Sequence, residues 1–219
     1  LQTRGVCAEV EAQVYLEAAA QCILALPAEA RAKVCAVALT TQGETLLCVD
    51  RQGKALRPAI VWLDSRAEAQ AARLAAALDR QRFYERTGLP ELSGALPLAK
   101  LLWLREQEPE SWARTDKFLL LEDYLMLWLT GRAVTEKSLL TSTGYFDLQS
   151  DDYWDEALAL AELDRTRLPQ ALACGSIVGP VLPEVAEALG LPASACVVTG
   201  AMDQTAAALA AGCLLYTSP

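Results

Sequence analysis

Three short polar segments hold the residue types that could do chemistry in this sequence. The first, residues 40–45, reads Thr-Thr-Gln-Gly-Glu-Thr and follows an apolar run. Ligands of open α/β sheets collect where strands end, so Gln42 and Glu44 are candidates for hydrogen bonds to a small polar ligand. A polar loop with a turn at Gly43 explains the same residues, and the spacing alone favours that loop.

The second segment is Trp62-Leu63-Asp64. A tryptophan ring can stack on the apolar face of a sugar while a neighbouring carboxylate accepts hydrogen bonds from the sugar hydroxyls. A core tryptophan followed by an aspartate that caps the next helix is the plainer interpretation of this segment, and the segment by itself favours it.

The third segment, Gly200-Ala201-Met202-Asp203-Gln204, lies between an apolar run and a helical pattern. A carboxylate at this point lies at a strand end and near the positive end of a helix dipole, which keeps it ionised. Asp203 could therefore accept the proton of a substrate hydroxyl. Helix capping by Asp203 is the competing interpretation.

The composition excludes several function classes. The 219 residues contain no histidine, which excludes Ser-His-Asp and Cys-His nucleophiles and imidazole metal sites. With 28 acidic and 19 basic residues, a formal net charge of -9 disfavours nucleic acid as a partner. The sequence has no apolar run of about 18 residues, which a membrane span would require. No secretory leader is visible, and no glycine-rich phosphate loop occurs.

The seven cysteines are scattered and form no CxxC pair. Most lie in apolar runs, which predicts buried, reduced thiols rather than disulfides or a zinc site. Reduced thiols indicate a reducing compartment, so we expect a cytoplasmic protein.

The pattern around the three segments alternates strands with helices and predicts an α/β fold. The predicted strands are 34–39, which we expect to be buried and parallel, 45–50, 59–62 and 197–199. The predicted helices are 9–26, 67–78, 98–107, 122–129, 184–189 and 204–211. A hairpin turn is expected at 51–54 and another turn at Gly200. Each polar segment then lies at the end of a strand or beside one.

Taken in order, these segments resemble the amino-terminal domain of the FGGY carbohydrate kinases, a family that includes xylulokinase and glycerol kinase. The resemblance extends over about residues 5–212. The matching residues are Gln42-Gly43-Glu44-Thr45, 59–66, Lys100-Leu101-Leu102-Trp103-Leu104, 122–131, Thr141-Ser142-Thr143-Gly144 and Gly200-Ala201-Met202-Asp203-Gln204.

The resemblance implies phosphorylation of a sugar or polyol hydroxyl with ATP and Mg²⁺, on a ribonuclease-H-like (actin-like ATPase) fold. It implies that Asp203 is the general base. From the composition, we expect no metal site formed by the protein. The positions that match the sugar pocket are Gln42, Glu44, Trp62, Asp64 and Gln204. Such phosphoryl transfer needs positioning, Mg²⁺ and one carboxylate, which agrees with the absence of histidine.

The sequence also departs from the family pattern. The opening Asp-x-Gly-Thr turn and the first three strands are missing, so we expect residues 1–212 to form an incomplete domain without the second, nucleotide-binding domain. This fragment alone is expected to be inactive. Residues 213–219 do not resemble the family and are interpreted as a foreign tail. Gly43 stands where glycerol kinases have arginine, which favours a sugar larger than glycerol.

Two other functions stay open. A non-catalytic sugar-binding or interaction module derived from such a kinase would keep Glu44 and Trp62 but would not need Asp203. An α/β oxidoreductase is disfavoured because no GxGxxG dinucleotide fingerprint occurs. The expected partner is a small-molecule sugar or polyol, and a homo-oligomer is left open.

Overall fold

The computed structural model describes residues 1–212. The strands are β1 (Gln2–Arg4), β2 (Cys7–Val10), β3 (Ala36–Thr41), β4 (Leu46–Val49), β5 (Ala59–Ile60), β6 (Lys117–Leu120), β7 (Val134–Glu136), β8 (Phe146–Asp147), β9 (Asp152–Tyr153), β10 (Gln170–Leu172), β11 (Ile177–Pro180) and β12 (Cys196–Met202). The helices are α1 (Ala12–Leu24), α2 (Ala28–Arg31), α3 (Glu68–Ala77), α4 (Arg80–Thr87), α5 (Pro97–Gln107), α6 (Pro109–Arg114), α7 (Leu121–Thr130), α8 (Lys137–Leu140), α9 (Asp155–Leu160), α10 (Pro183–Leu189) and α11 (Asp203–Ala210).

Two sheets form the framework around the polar segments. The larger sheet has the strand order β1-β2-β5-β4-β6 and is antiparallel throughout. The smaller sheet has the order β11-β12-β3, with β12 parallel to β3. The loop between β3 and β4 therefore connects the two sheets, and it consists of residues 42–45 of the first polar segment.

Helices cover both faces of the larger sheet at β4. Leu46 and Cys48 pack into a core with residues of α3 and α5, whereas Leu47 and Val49 pack with residues of α1 and α7. All four side chains are at most 1% exposed. Successive residues of a strand point to opposite faces, so an uninterrupted apolar strand here reflects two covered faces.

The β3 strand differs from the prediction of a strand buried on both faces. Val37 and Leu39 pack partly against the core, but Ala36, Ala38 and Thr40 are exposed. Within residues 1–212, β3 is the edge strand of its sheet, and its second face is not covered. Burial of both faces of β3 was expected because its sequence is apolar. In the structure the residues on the exposed face are small, and the strand lies at the edge of the smaller sheet.

Several local predictions are confirmed. The helix predicted over 122–129 is α7, and Gly131 ends it in the left-handed conformation with φ of 71°. The turn between β4 and β5 forms because the Asp50 carboxylate accepts hydrogen bonds from the backbone N–H groups of Gln52 and Lys54, each at 2.9 Å. The strands on either side pair as a hairpin through Leu46 and Ile60.

Other predictions are wrong in detail. The predicted helix over 9–26 begins only at Ala12, because residues 9 and 10 end β2. Gly200 does not turn the chain but lies inside β12. The cysteines are less buried than expected, since Cys22, Cys35 and Cys174 are exposed, although the six described cysteines are free. Cys213 and the predicted tail 213–219 lie outside the described residues. Within residues 1–212, no helix has the length and apolar character needed to cross a membrane.

Candidate functional site

The loop from Gln42 to Thr45 is packed tightly against the end of β12. A Cβ atom at buried Gly43 would lie 2.7 Å from the Ser142 Oγ and 3.2 Å from the Met202 Sδ. Only glycine allows this approach without a shift of a neighbour. The next residue, Glu44, has a φ of 55°, a left-handed conformation that is uncommon and unfavourable for a residue with a side chain.

The end of β12 reaches this loop through a second close approach. A Cβ at Gly200 would lie 1.5 Å from the carbonyl oxygen of Leu39, at the point where the register between β12 and β3 shifts. Beyond the shift, Met202 is paired with Thr41. The first residue of α11, Asp203, is thereby brought beside the loop that carries Glu44.

Two acidic side chains meet at this place. Asp203 is exposed and its Oδ1 accepts a hydrogen bond of 2.7 Å from the Gln204 backbone N–H. It is the first residue of α11, and the N-cap position is Met202, so Asp203 is not the cap. Burial raises the pKa of the Glu44 carboxyl, and the nearby Asp203 charge adds to the rise, which outweighs the opposing effects of the Ser142 hydroxyl and Lys100.

Thr45 connects Gln42 and Trp62. Its buried hydroxyl accepts hydrogen bonds from the Gln42 side-chain amide at 2.8 Å and from the Trp62 backbone N–H at 3.2 Å. The Trp62 side chain does not belong to the core, because the residue is 44% exposed. We call the group Gln42, Glu44, Trp62, Asp203 and Gln204 the candidate cleft.

Asp64 does not belong to the candidate cleft. It is 0% exposed, and its carboxylate accepts hydrogen bonds from the Ala8 backbone N–H at 2.6 Å and from the Arg66 guanidinium at 2.7–3.0 Å. Burial alone would raise the pKa of Asp64, but these hydrogen bonds outweigh burial and lower it. It does not cap α3 either, whose N-cap is Ala67. The prediction that Asp64 contacts a sugar is therefore not met in this structure, because every atom that could do so is covered.

Two backbone N–H groups near the end of β12 donate to side chains that the sequence reasoning missed. The Gly200 N–H donates to Glu122 Oε1 at 3.2 Å, and the Met202 N–H donates to Ser138 Oγ at 3.0 Å. Ser138 is in turn held by the Glu136 carboxylate, whose Oε2 accepts the Ser138 N–H at 2.8 Å and also the Ser138 hydroxyl. These contacts fix the backbone that carries Asp203.

Glu122 is one of three neighbouring acidic residues in the interior. Glu122, Asp123 and Glu136 are each at most 2% exposed. Burial, with a smaller effect from neighbouring charges, raises the pKa of Glu122 to about 8 and that of Asp123 to about 7. Within residues 1–212, Glu122 Oε2 and Asp123 Oδ1 have no hydrogen-bond partner, so nothing at these oxygens offsets the effect of burial, which favours the neutral form of each carboxyl.

Lys100 is a further residue to which sequence reasoning gave no role. It is 0% exposed, and its ammonium donates hydrogen bonds of 3.0 Å to the carbonyl oxygens of Glu44 and Val61. The signal in the sequence was a single charge within the apolar run from Ala99 to Leu102.

The side chains of the candidate cleft are of types that suit a small polyhydroxylated ligand. The candidate cleft offers carboxylate and amide groups together with an exposed indole face. Within residues 1–212 there is no group of three His, Cys, Asp or Glu side chains that could hold a metal ion, and the sequence has no glycine-rich phosphate cradle. The arrangement can therefore bind hydroxyl groups and accept a proton.

The amino-acid sequence is similar to those of known sugar kinases. Residues 2–210 match the family described as "FGGY family of carbohydrate kinases, N-terminal domain". The xylulose kinase of Lactococcus lactis is 36% identical over 176 residues, which are 80% of this chain and 35% of that protein. The xylulose kinase of Escherichia coli is 36% identical over 180 residues, or 82% of this chain and 36% of that protein. The chain thus spans about a third of the length of these relatives.

Solved structures of sugar kinases share the fold. The xylulose kinase of Rhodospirillum rubrum aligns with a TM-score of 0.91 at 28% identity, over 97% of this chain and 44% of that chain. The gluconate kinase of Lactobacillus acidophilus aligns with a TM-score of 0.86 at 24% identity, over 93% of this chain and 41% of that chain, which shows likeness of fold alone. The predicted ribonuclease-H-like (actin-like ATPase) α/β fold is confirmed.

Proposed function

Because the chain belongs to the FGGY family of carbohydrate kinases, we propose that the full-length protein transfers a phosphoryl group from ATP to a hydroxyl of a sugar or polyol. The observation that carries the proposal is that the β3–β4 loop with Glu44 touches the end of β12 beside Asp203, and that Thr45 of this loop is hydrogen-bonded to the Trp62 backbone. These residues come from segments separated by up to about 160 positions, so no local folding rule explains why they meet.

Asp203 is the general base in this proposal. Its exposed carboxylate lies in the first turn of α11, and the Gln204 backbone N–H occupies Oδ1. Among the described residues Oδ2 receives no hydrogen bond, so it is the oxygen that accepts the proton as the substrate hydroxyl attacks. ATP and a divalent metal supply the phosphoryl group and the charge neutralisation of the family's reaction.

The remaining cleft residues hold the sugar. The exposed Trp62 ring offers an apolar face for stacking. The Glu44 carboxylate and the side-chain amides of Gln42 and Gln204 offer hydrogen bonds to hydroxyl groups, which orient the substrate for attack. We assign no substrate contact to Asp64.

The reaction also needs a nucleotide site, and residues 1–212 contain no glycine-rich phosphate cradle. We therefore propose that the 219-residue chain alone binds the sugar but does not turn it over. The free thiols of the six described cysteines support a cytoplasmic location.

Sugar binding is tested by thermal unfolding of the chain with D-xylulose, L-xylulose, glycerol and D-gluconate. The similarity to xylulose kinases makes D-xylulose the first probe. A ligand at about 100 times its dissociation constant adds about 2.7 kcal/mol of stability, which raises the midpoint of a chain of this length by about 5–11 °C. Trp62→Ala is the control, because it removes an exposed ring and is expected to abolish most of the rise without lowering the midpoint of the free chain.

The role of Asp203 separates the kinase from a non-catalytic sugar-binding module. In the full-length gene product, Asp203→Asn is expected to lower kcat at least about 100-fold while sugar affinity stays within about threefold. A wild-type full-length protein that binds the sugar but shows no ATP-dependent phosphorylation would favour the binding module. Asp151→Asn, an exposed aspartate outside the cleft, serves as the matched control.

A further inference from the structure

Lys100 is a buried charged residue whose neighbours along the chain are apolar. It lies in α5 between Ala99 and Leu101, and all three residues are 0% exposed. Burying an ammonium group is strongly unfavourable unless it is hydrogen-bonded. A methionine or leucine would fill the same position in the core without that cost, so the reason for a lysine is to be sought in what its ammonium contacts.

The ammonium of Lys100 joins two segments that are distant in sequence. Its Nζ lies 3.0 Å from the carbonyl oxygen of Glu44 and 3.0 Å from that of Val61, which are 56 and 39 residues away. Glu44 carries one of the cleft carboxylates, and Val61 directly precedes Trp62. The two segments are thus tied to each other through one buried atom.

The conformation of Glu44 explains why such a tie is needed. Its left-handed backbone, with φ of 55°, is held only if the surroundings favour it over relaxed alternatives. The hydrogen bond from Lys100 is charge-assisted and therefore stronger than a bond between neutral groups. It fixes the direction of the Glu44 carbonyl and with it the course of the loop.

The charges that face Lys100 come from three other positions. The carboxylates of Asp64 and Glu44 raise its pKa and the Arg66 guanidinium lowers it, but burial is the largest effect and brings the pKa of Lys100 to about 8. The ammonium form therefore predominates at neutral pH.

We propose that Lys100 is a positioning residue of the sugar site, which holds Glu44 and Trp62 in the relative arrangement that binds the sugar. The proposal rests on the proposed function for the identity of the ligand, but the tie between the two segments stands on the contacts alone. Lys100 does not touch the substrate.

The tie is tested without any ligand by hydrogen exchange of Lys100→Met. Amides of residues 42–46 and 61–64 are expected to exchange at least about tenfold faster than in the wild type, because both segments lose the charge-assisted bonds from Lys100 and keep the neutral bond between Thr45 and Trp62. Leu104→Ala is the matched control, since Leu104 lies one turn further along α5 and is also 0% exposed. Unchanged exchange in Lys100→Met, or an equal increase in Leu104→Ala, would overturn the proposal.

The same variants test the consequence for the sugar. The dissociation constant for D-xylulose, measured by calorimetry at a temperature where both variants are folded, is expected to rise at least about tenfold in Lys100→Met and less than twofold in Leu104→Ala. Equal affinity of Lys100→Met and the wild type overturns the positioning role. Absence of D-xylulose binding by the wild type counts instead against the proposed function, and the exchange measurement still decides on the tie.

Should Lys100→Met not fold, Lys100→Gln takes its place. Its amide is a neutral donor on a shorter side chain that cannot reach both carbonyl oxygens at once. Faster exchange in at least one of the two segments is then the expected result, and wild-type exchange in both would overturn the proposal.

Discussion

The strands β3 and β4 are neighbours in sequence and similarly apolar, yet they are in opposite environments. All four residues of β4 are buried, whereas β3 exposes Ala36, Ala38 and Thr40. The difference comes from their neighbours: β4 lies between β5 and β6 with helices on both faces, and β3 lies at the edge of the smaller sheet. An apolar run thus predicts a strand but not how many of its faces are covered.

The candidate cleft lies at the boundary between these two environments. On the β4 side, Thr45 and Lys100 anchor the loop to the buried part of the molecule. On the other side, Asp203 follows β12, whose end is held by Glu122 and Ser138. Substitutions in the buried strand β4 are therefore expected to remove stability, whereas substitutions near the end of β12 are expected to displace the site.

The largest expected effect is a difference in the stability lost when either of two leucines, one on each side of this boundary, is replaced by alanine. Leu47→Ala in β4 is expected to lower the free energy of unfolding by about 2–5 kcal/mol, because a fully buried leucine leaves a cavity. Leu39→Ala in β3 is expected to cost less than half as much, since Leu39 is only partly buried. Urea unfolding with an unchanged m-value measures both, and equal losses would contradict the comparison.

A substitution at Gly200 tests how closely the two strands of the smaller sheet must approach. The Cβ of Gly200→Ala would collide with the Leu39 carbonyl, so β12 has to move away from β3. We expect a loss of about 1–3 kcal/mol together with weaker D-xylulose binding, because Asp203 moves with the strand. Ala38→Ser on the exposed face of β3 is the control and should change neither quantity. A Gly200→Ala variant with wild-type stability would show that the strands separate easily.

A pH series tests the buried carboxyls behind β12. Their pKa values are raised from 4.5 to about 8 for Glu122 and from 3.8 to about 7 for Asp123, so the folded state binds more protons than the unfolded state between about pH 4 and 8. The stability that these groups contribute is present at low pH and is lost as pH rises through that window, by about 1.4 kcal/mol per pH unit for each extra proton.

The variant Glu122→Gln should remove the share of that slope due to Glu122. Unfolding free energies at pH 5.5 and pH 8 measure it, and Glu162→Gln, an exposed glutamate, is the control. Lys100 contributes little to the change in unfolding free energy between pH 5.5 and pH 8. Its pKa is lowered from 10.5 to about 8, so its effect on stability changes mainly above pH 8. A slope that is the same in Glu122→Gln and in the wild type would show that Glu122 is ionised in the folded protein.

The smallest expected effect concerns the surface of the molecule. Arg82 and Glu156 form an ion pair of 2.6 Å, but their side chains are 50% and 43% exposed. Exposed pairs contribute little because water and salt screen them. Arg82→Ala should change the free energy of unfolding by less than about 0.5 kcal/mol, and a larger loss would mean that this contact couples α4 to α9 more strongly than its exposure suggests.

The elements that sequence predicted well are those determined by neighbours along the chain. The Asp50 turn, the Gly131 helix end and the hairpin of β4 and β5 depend on contacts within about fifteen residues. The burial of β3 was mispredicted because it depends on which elements pack on it from elsewhere.

The candidate site shows the same division. The residue types of Glu44, Trp62 and Asp203 indicated chemistry, and the order of the segments indicated the family. The burial of Asp64 by Arg66 and Ala8 and the contact of Lys100 with Glu44 were not predictable from spacing, because they join residues up to 56 positions apart. Short-range patterns carry no information on such contacts.

The backbone of Glu44 limits which sequences this loop can accept. At a φ of 55° a β-branched side chain is strongly disfavoured, whereas glycine, asparagine and aspartate are tolerated. Selection experiments that randomise residue 44 should therefore recover these residues and lose valine, isoleucine and threonine even when they screen only for folded protein. A change of substrate during evolution is then expected to involve substitutions at residues 42, 62 and 204, because the backbone at these positions is not in the left-handed conformation that restricts the side chain.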